Sequence, residues 1–136
     1  MSTANNADFS VAVLAQTAGQ QPVPFDQINV LNGTAITYTA GTGLIGLTQP
    51  GTYLVNYSVV INLDSSLYVG LYLNGAGIPE SYILYDNIAP HITLSQSLIL
   101  NVTGTSNTLE LRNNFQPGTN HREFANFTAI RIVKLT

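Results

Sequence analysis

The chain has 136 residues, room for one domain with a full core, and 45% of them are hydrophobic. Only 8% are charged and the net charge is −3. This excludes a disordered chain, and it excludes nucleic-acid and anionic-membrane binders, which need clustered basic residues. Cysteine is absent, so there is no disulfide framework or thiolate site, and no apolar run approaches the roughly 20 residues of a membrane span.

Residues 1–7 are polar and read as a flexible tail, with neither the basic nor the apolar region of a secretory signal. Residues 8–136 read as one domain. From there the pattern alternates with period two. Phe9, Val11, Val13 and Ala15 alternate with smaller or polar neighbours, and Ile36 and Tyr38 follow. Gly41-Thr42-Gly43-Leu44-Ile45-Gly46 matches the dinucleotide fingerprint, which works only where it opens a helix. Here it runs into Leu47-Thr48-Gln49-Pro50-Gly51, so it reads as a turn between strands. Tyr53, Val55, Tyr57, Val59 and Ile61 share a face, as do Leu67, Val69, Leu71 and Leu73. Leu94, Leu98 and Leu100 belong to a further strand. Leu109 and Leu111 point one way, while Glu110 and Arg112 point towards water. Phe127, Ala129 and Val133 close the series on the core side. Between these runs lie Asn32-Gly33, Gln49-Pro50-Gly51, Asn74-Gly75, Ala89-Pro90, Gly104 and Gln116-Pro117-Gly118, which are turn signals. Many short alternating strands without helical periodicity predict an all-β sandwich or barrel.

Three strands carry apolar residues on the face that should meet water. Strand 53–61 has Leu54 and Val60 beside Asn56 and Ser58. Strand 92–102 has Ile99 beside Ser95 and Ser97. Strand 124–133 has Ile130 and Ile132 beside Asn126 and Thr128. A sheet wet on one side is not this apolar outside, so another subunit is expected to cover these faces.

The order of the pieces resembles the tumour necrosis factor and complement globular-head superfamily. It is most similar to the C-terminal globular domains of bacterial collagen-like spore-surface (exosporium) glycoproteins. The residues that carry the resemblance are Val23-Pro24-Phe25-Asp26, Gly51-Thr52-Tyr53-Leu54-Val55-Asn56-Tyr57, Leu71-Tyr72-Leu73-Asn74-Gly75, Ser97-Leu98-Ile99-Leu100, Leu109-Glu110-Leu111 and Phe127-Thr128-Ala129, spanning Phe9 to Leu135. The resemblance implies a two-sheet jelly roll of about ten antiparallel strands and a compact homotrimer. It puts Leu54, Asn56, Ser58, Val60, Ser95, Ser97, Ile99, Asn126, Thr128, Ile130 and Ile132 at the trimer interface. It further implies a non-catalytic knob, self-partnered, on a cell, spore or virion surface and so extracellular. The alternative is a glycan- or receptor-binding head such as a phage tail-tip lectin.

No catalytic, metal or cofactor site emerges. The two histidines, His91 and His121, lack a paired nucleophile, and Asp26, Asp64, Asp86, Glu80, Glu110 and Glu123 are scattered. Asp64-Ser65-Ser66 and Asp86-Asn87 read as loop caps, too sparse for calcium. Asn32-Gly33-Thr34, Asn56-Tyr57-Ser58, Asn101-Val102-Thr103 and Asn126-Phe127-Thr128 match the glycosylation pattern, the last three inside predicted strands, and read as accidental. Tyr53 and Tyr57 read as core. Candidate ligand contacts are Tyr68, Tyr72, Tyr82 and Tyr85, whose ring faces suit sugars, with His121 and Arg122 from the densest charged spot. A ligand for such a chain is neutral, a glycan or a protein surface.

Overall fold

The computed structural model describes residues 4–62, 65–118 and 122–136. Asp64 and His121 lie outside them. Among the described residues thirteen strands form, all paired antiparallel, and the only helical element there is a single 3₁₀ turn at Pro79–Ser81. In chain order they are β1 Asn6–Ser10, β2 Leu14–Thr17, β3 Gln27–Asn32, β4 Ile36–Tyr38, β5 Ile45–Leu47, β6 Gly51–Val59, β7 Ser65–Leu73, β8 Ala76–Gly77, β9 Ile83–Ile88, β10 Leu94–Val102, β11 Asn107–Asn113, β12 Arg122–Ala125 and β13 Ala129–Lys134.

Two sheets stack as a jelly-roll sandwich. The first runs β10-β6-β13-β1-β3, and the second runs β4-β5-β11-β7, with β8 and β9 also pairing with β7. A short ribbon, β2 with β12, stands apart from both. Alternation decides which way each strand faces. Tyr53, Val55, Tyr57 and Val59 of β6 and Leu67, Val69 and Leu71 of β7 turn inward and bury against Phe9, Phe25, Leu109 and Phe124. The buried tyrosine hydroxyls have acceptors: Tyr53 donates to the Gln49 carbonyl at 2.6 Å, and Tyr57 donates to that of Ser81.

Several expectations are corrected. The tail ends sooner: β1 starts at Asn6, Ala7 is buried, and the Asn5 side-chain oxygen accepts from the backbone of Thr34 and Ala35 at 3.0 and 2.9 Å. Strand β3 is additional. A register shift opposite Asp8 and Phe9 breaks its alternation, and it forms the sheet edge with every residue exposed.

The last strand has the opposite phase from that expected. Ile130 and Ile132 are fully buried in the core, whereas Phe127 is 72% and Val133 40% exposed. The cause is a turn between β12 and β13, closed by Thr128 N–H donating to the Ala125 carbonyl at 3.2 Å, with Phe127 at φ 76°. That turn also takes Asn126 out of any strand. Val13, expected inside, is 77% exposed.

Val60 and Thr128 are buried too. The Thr128 hydroxyl accepts from Val60 N–H at 3.0 Å and donates to the Val60 carbonyl at 3.2 Å, standing in for the ladder where β6 ends.

Candidate functional site

The outer face of the first sheet is ordered in cross-strand rows. Along one row lie Ile99, Leu54, Val133, Asn6 and Asn32. The next holds Ser97, Asn56, Arg131, Asp8 and Val30. The third holds Ser95, Ser58, Ala129, Ser10 and Gln27. Directly opposed side chains in a sheet touch, so Ile99, Leu54 and Val133 form one apolar band. They are 57%, 37% and 40% exposed. The middle row is polar apart from Val30 at its edge: Asn56 donates to Ser97 at 2.6 Å, and Arg131 Nε donates to Asp8 Oδ2 at 3.2 Å.

Of the residues expected at an interface, Leu54, Asn56, Ser95, Ser97 and Ile99 share this face, and Asn126 is exposed on the turn at its end. Ser58 belongs to the face but is buried, its hydroxyl donating to the Phe127 carbonyl at 3.0 Å. Val60, Thr128, Ile130 and Ile132 do not reach it, being held inside the protomer. On β13 it is Arg131 and Val133 that face outward, and the turn at Phe127 concealed them.

A second feature covers the outer face of the other sheet. The Tyr82 ring lies 6.4 Å from Tyr72 and nearly parallel, and meets Tyr68 edge-on at 5.8 Å; Tyr68 meets Phe115 edge-on at 5.8 Å. Arg112 caps Tyr72 at 4.2 Å from the ring centre, and Arg122 caps Phe115 at 4.7 Å. Glycine makes the room: a Cβ on Gly70 would stand 2.3 Å from Tyr82 Cδ1.

This layer is largely committed to itself. Arg112 pairs with Glu110 at 2.9 Å, Tyr72 donates to Asn114, and Arg122 holds the Ser66 carbonyl and hydroxyl at 2.5 and 2.8 Å. Burial, then the neighbouring Tyr72 hydroxyl, raises the Tyr82 pKa, and burial lowers that of Arg122. Tyr68, Tyr72, Tyr82 and Arg122 are thus brought together. Tyr85, paired with Leu67, falls on the other side of the sheet and is half exposed. Glu110, expected to face water, is buried under this layer. Among the described residues no three His, Asp or Glu side chains converge as metal ligands.

No family model matches the sequence, and no curated protein matches it. Solved structures do resemble it. The Eiger TNF of S. frugiperda superposes with a TM-score of 0.71 at 19% identity, over 99% of this chain and 94% of that one. The globular domain of zebrafish complement 1qA gives 0.65 at 16% identity, over 96% of each chain. The PRD1 vertex protein P5 gives 0.61 at 14%, over 98% and 97%. The chain has the jelly-roll fold of the TNF and complement 1q globular domains.

Proposed function

We propose that the chain is a non-catalytic homotrimeric head, a structural and attachment knob on the outside of a bacterial cell or spore. The observation that carries this reading is the apolar band of Ile99, Leu54 and Val133 on a sheet face whose other exposed side chains are polar apart from Val30 at its edge. Fully burying an exposed aliphatic side chain is worth about 1.5–3 kcal/mol; these are already about half covered, so each gains roughly half of that, and threefold symmetry repeats the band three times. The likeness to TNF and complement 1q domains supports self-association through such a sheet. A charge of 8% and a single lysine suit a compact shell component placed outside the cell, and no helix among the described residues is long and apolar enough to cross a membrane.

Light scattering after size exclusion tests this. The wild type is expected at three times the 14.6 kDa chain mass. Leu54→Asp is expected to be a folded monomer, because a buried unpaired charge costs several kcal/mol. A monomeric wild type overturns the reading.

The second reading, a glycan- or receptor-binding head of a virion tail or vertex, draws on the likeness to the PRD1 vertex protein P5 and on a polar cleft beside Phe127.

A further inference from the structure

An open cleft of about 450 Å³ lies at one end of the first sheet's outer face, bordered by Asp8, Gln27, Asn29, Asn126, Phe127 and Arg131. From the register, Ala129 at the cleft is four residues along β13 from Val133 in the apolar band, which is about 13 Å of strand. The cleft thus runs from the turn at Phe127 up to the middle row, where Arg131 and Asp8 form the wall next to the band.

Phe127 is an outlier on two independent counts. It is 72% exposed, the highest exposure of any large aromatic in the described chain. It also holds φ 76° in the third position of the Ala125–Thr128 turn, a place that ordinarily belongs to glycine or asparagine. The backbone around it is pinned: its carbonyl accepts from Ser58, Asn126 N–H donates to Val13, and Val11 N–H donates to Thr128. No packing inside the protomer accounts for a phenyl ring there, and strain kept without a packing return points to a use for the side chain.

The cleft's polar groups are arrayed but not exhausted. Asn29 Nδ2 donates to Ser10 at 2.9 Å and to Asp8 at 3.5 Å, and Arg131 Nε fixes the other Asp8 oxygen. These bonds orient planar groups in advance. The terminal guanidinium nitrogens of Arg131 and the side-chain amides of Asn126 and Gln27 make no hydrogen bond among the described residues. A flat apolar ring beside preset amide, carboxylate and guanidinium groups suits a ring that is apolar on one face and hydroxylated around its edge. The Asp8 carboxylate already neutralises Arg131, so a sulfated, phosphorylated or sialylated ligand would meet no free positive charge.

We propose that this cleft is a binding subsite for one neutral saccharide residue, with the Phe127 ring stacking on the sugar and Asp8, Asn29 and Arg131 reading its hydroxyls. This sharpens the second reading above.

Saturation-transfer NMR of the intact chain with the methyl glycosides of glucose, galactose, mannose, rhamnose and N-acetylglucosamine tests it. At least one glycoside is expected to bind at millimolar concentration and to shift the amides of Asn29 and residues 126–131. Phe127→Gly is expected to weaken binding by about tenfold or more, the loss of one stacking contact, yet to raise the melting temperature, since glycine relieves the turn. Asn29→Ala is expected to lose binding with the fold unchanged. A sulfated heparin disaccharide is expected not to compete. Silence from all five glycosides overturns the proposal, as does full binding by Phe127→Gly. A lower melting temperature in Phe127→Gly assigns the ring to folding. A loss of molecular mass in that variant without any glycoside signal assigns the cleft to a second copy of the chain. Both results overturn the saccharide site, and the wild-type mass reports separately on the trimer.

Discussion

The Tyr57 side chain is fully buried, and burial pushes its hydroxyl pKa well above the ordinary 10.0. An acid whose folded pKa is raised keeps its proton while the unfolded chain gives its own away. Stability is therefore fully present below pH 10 and falls as pH rises from there towards the folded value. Tyr38 and Tyr53 shift in the same direction, again mainly through burial. Denaturant titrations at rising pH should show stability falling above pH about 10, at up to ~1.4 kcal/mol per pH unit for each tyrosine. Tyr57→Phe should cost about 1 kcal/mol at neutral pH, because the Ser81 carbonyl loses its donor, and should flatten the alkaline slope. An unchanged slope would place the sensitivity elsewhere. Gly70 makes a separate case. Gly70→Ala should destabilise by roughly 1–3 kcal/mol through the clash with Tyr82. In the Tyr82→Ala background the same change should cost little, a non-additivity that a double-mutant cycle measures directly.

Strand β13 shows how one turn governs an element. With Phe127 held in the left-handed region, the chain enters β13 with Ile130 and Ile132 inward and Arg131 and Val133 outward. Ile130→Asp should therefore unfold the protomer, whereas Val133→Asp should leave a folded chain and disturb only association; circular dichroism with light scattering separates the two. Thr128→Val removes the hydroxyl that accepts from Val60 N–H, and should cost about 1–3 kcal/mol, the penalty for a buried donor left unsatisfied, while the Val60 carbonyl keeps the Ala125 N–H. The same turn marks the limit of what the sequence reveals. Strands β6, β7, β10 and β11 were legible because nothing interrupts their period of two. The outward placing of Leu54, Asn56, Ser95, Ser97 and Ile99 followed from that period alone. The last strand was not legible, since a glycine at 127 would have announced the turn and a phenylalanine reads as one more apolar strand residue. Strand β3 was hidden by its bulge: Ile28 pairs with Phe9 and Val30 with Asp8, so two residues that alternate in the sequence lie on opposite faces. The tyrosine shelf was visible as residues, but not the glycine gap or the arginine caps that make it a closed layer.

For the molecule as a whole, the distribution of charge decides how association should respond to conditions. Two ion pairs, Arg112 with Glu110 and Arg131 with Asp8, engage two of the three arginines, and Arg122 is bound to Ser66. The band of Ile99, Leu54 and Val133 itself holds no charged side chain. Assembly through that band should thus be driven by apolar burial, which salt does not screen, whereas contacts between exposed charges fade at high ionic strength. Mass action adds a second signature. Subunits that bind one another when folded and not when unfolded stabilise the fold in proportion to their concentration, so the melting temperature climbs with protein concentration. Melting curves over a hundredfold concentration range, at low and at high sodium chloride, should show that climb with similar midpoints at both salts. In Leu54→Asp the midpoint should no longer depend on concentration. A wild-type midpoint that ignores concentration while falling steeply with salt would mean that exposed ion pairs, and not this sheet face, stabilise the assembly.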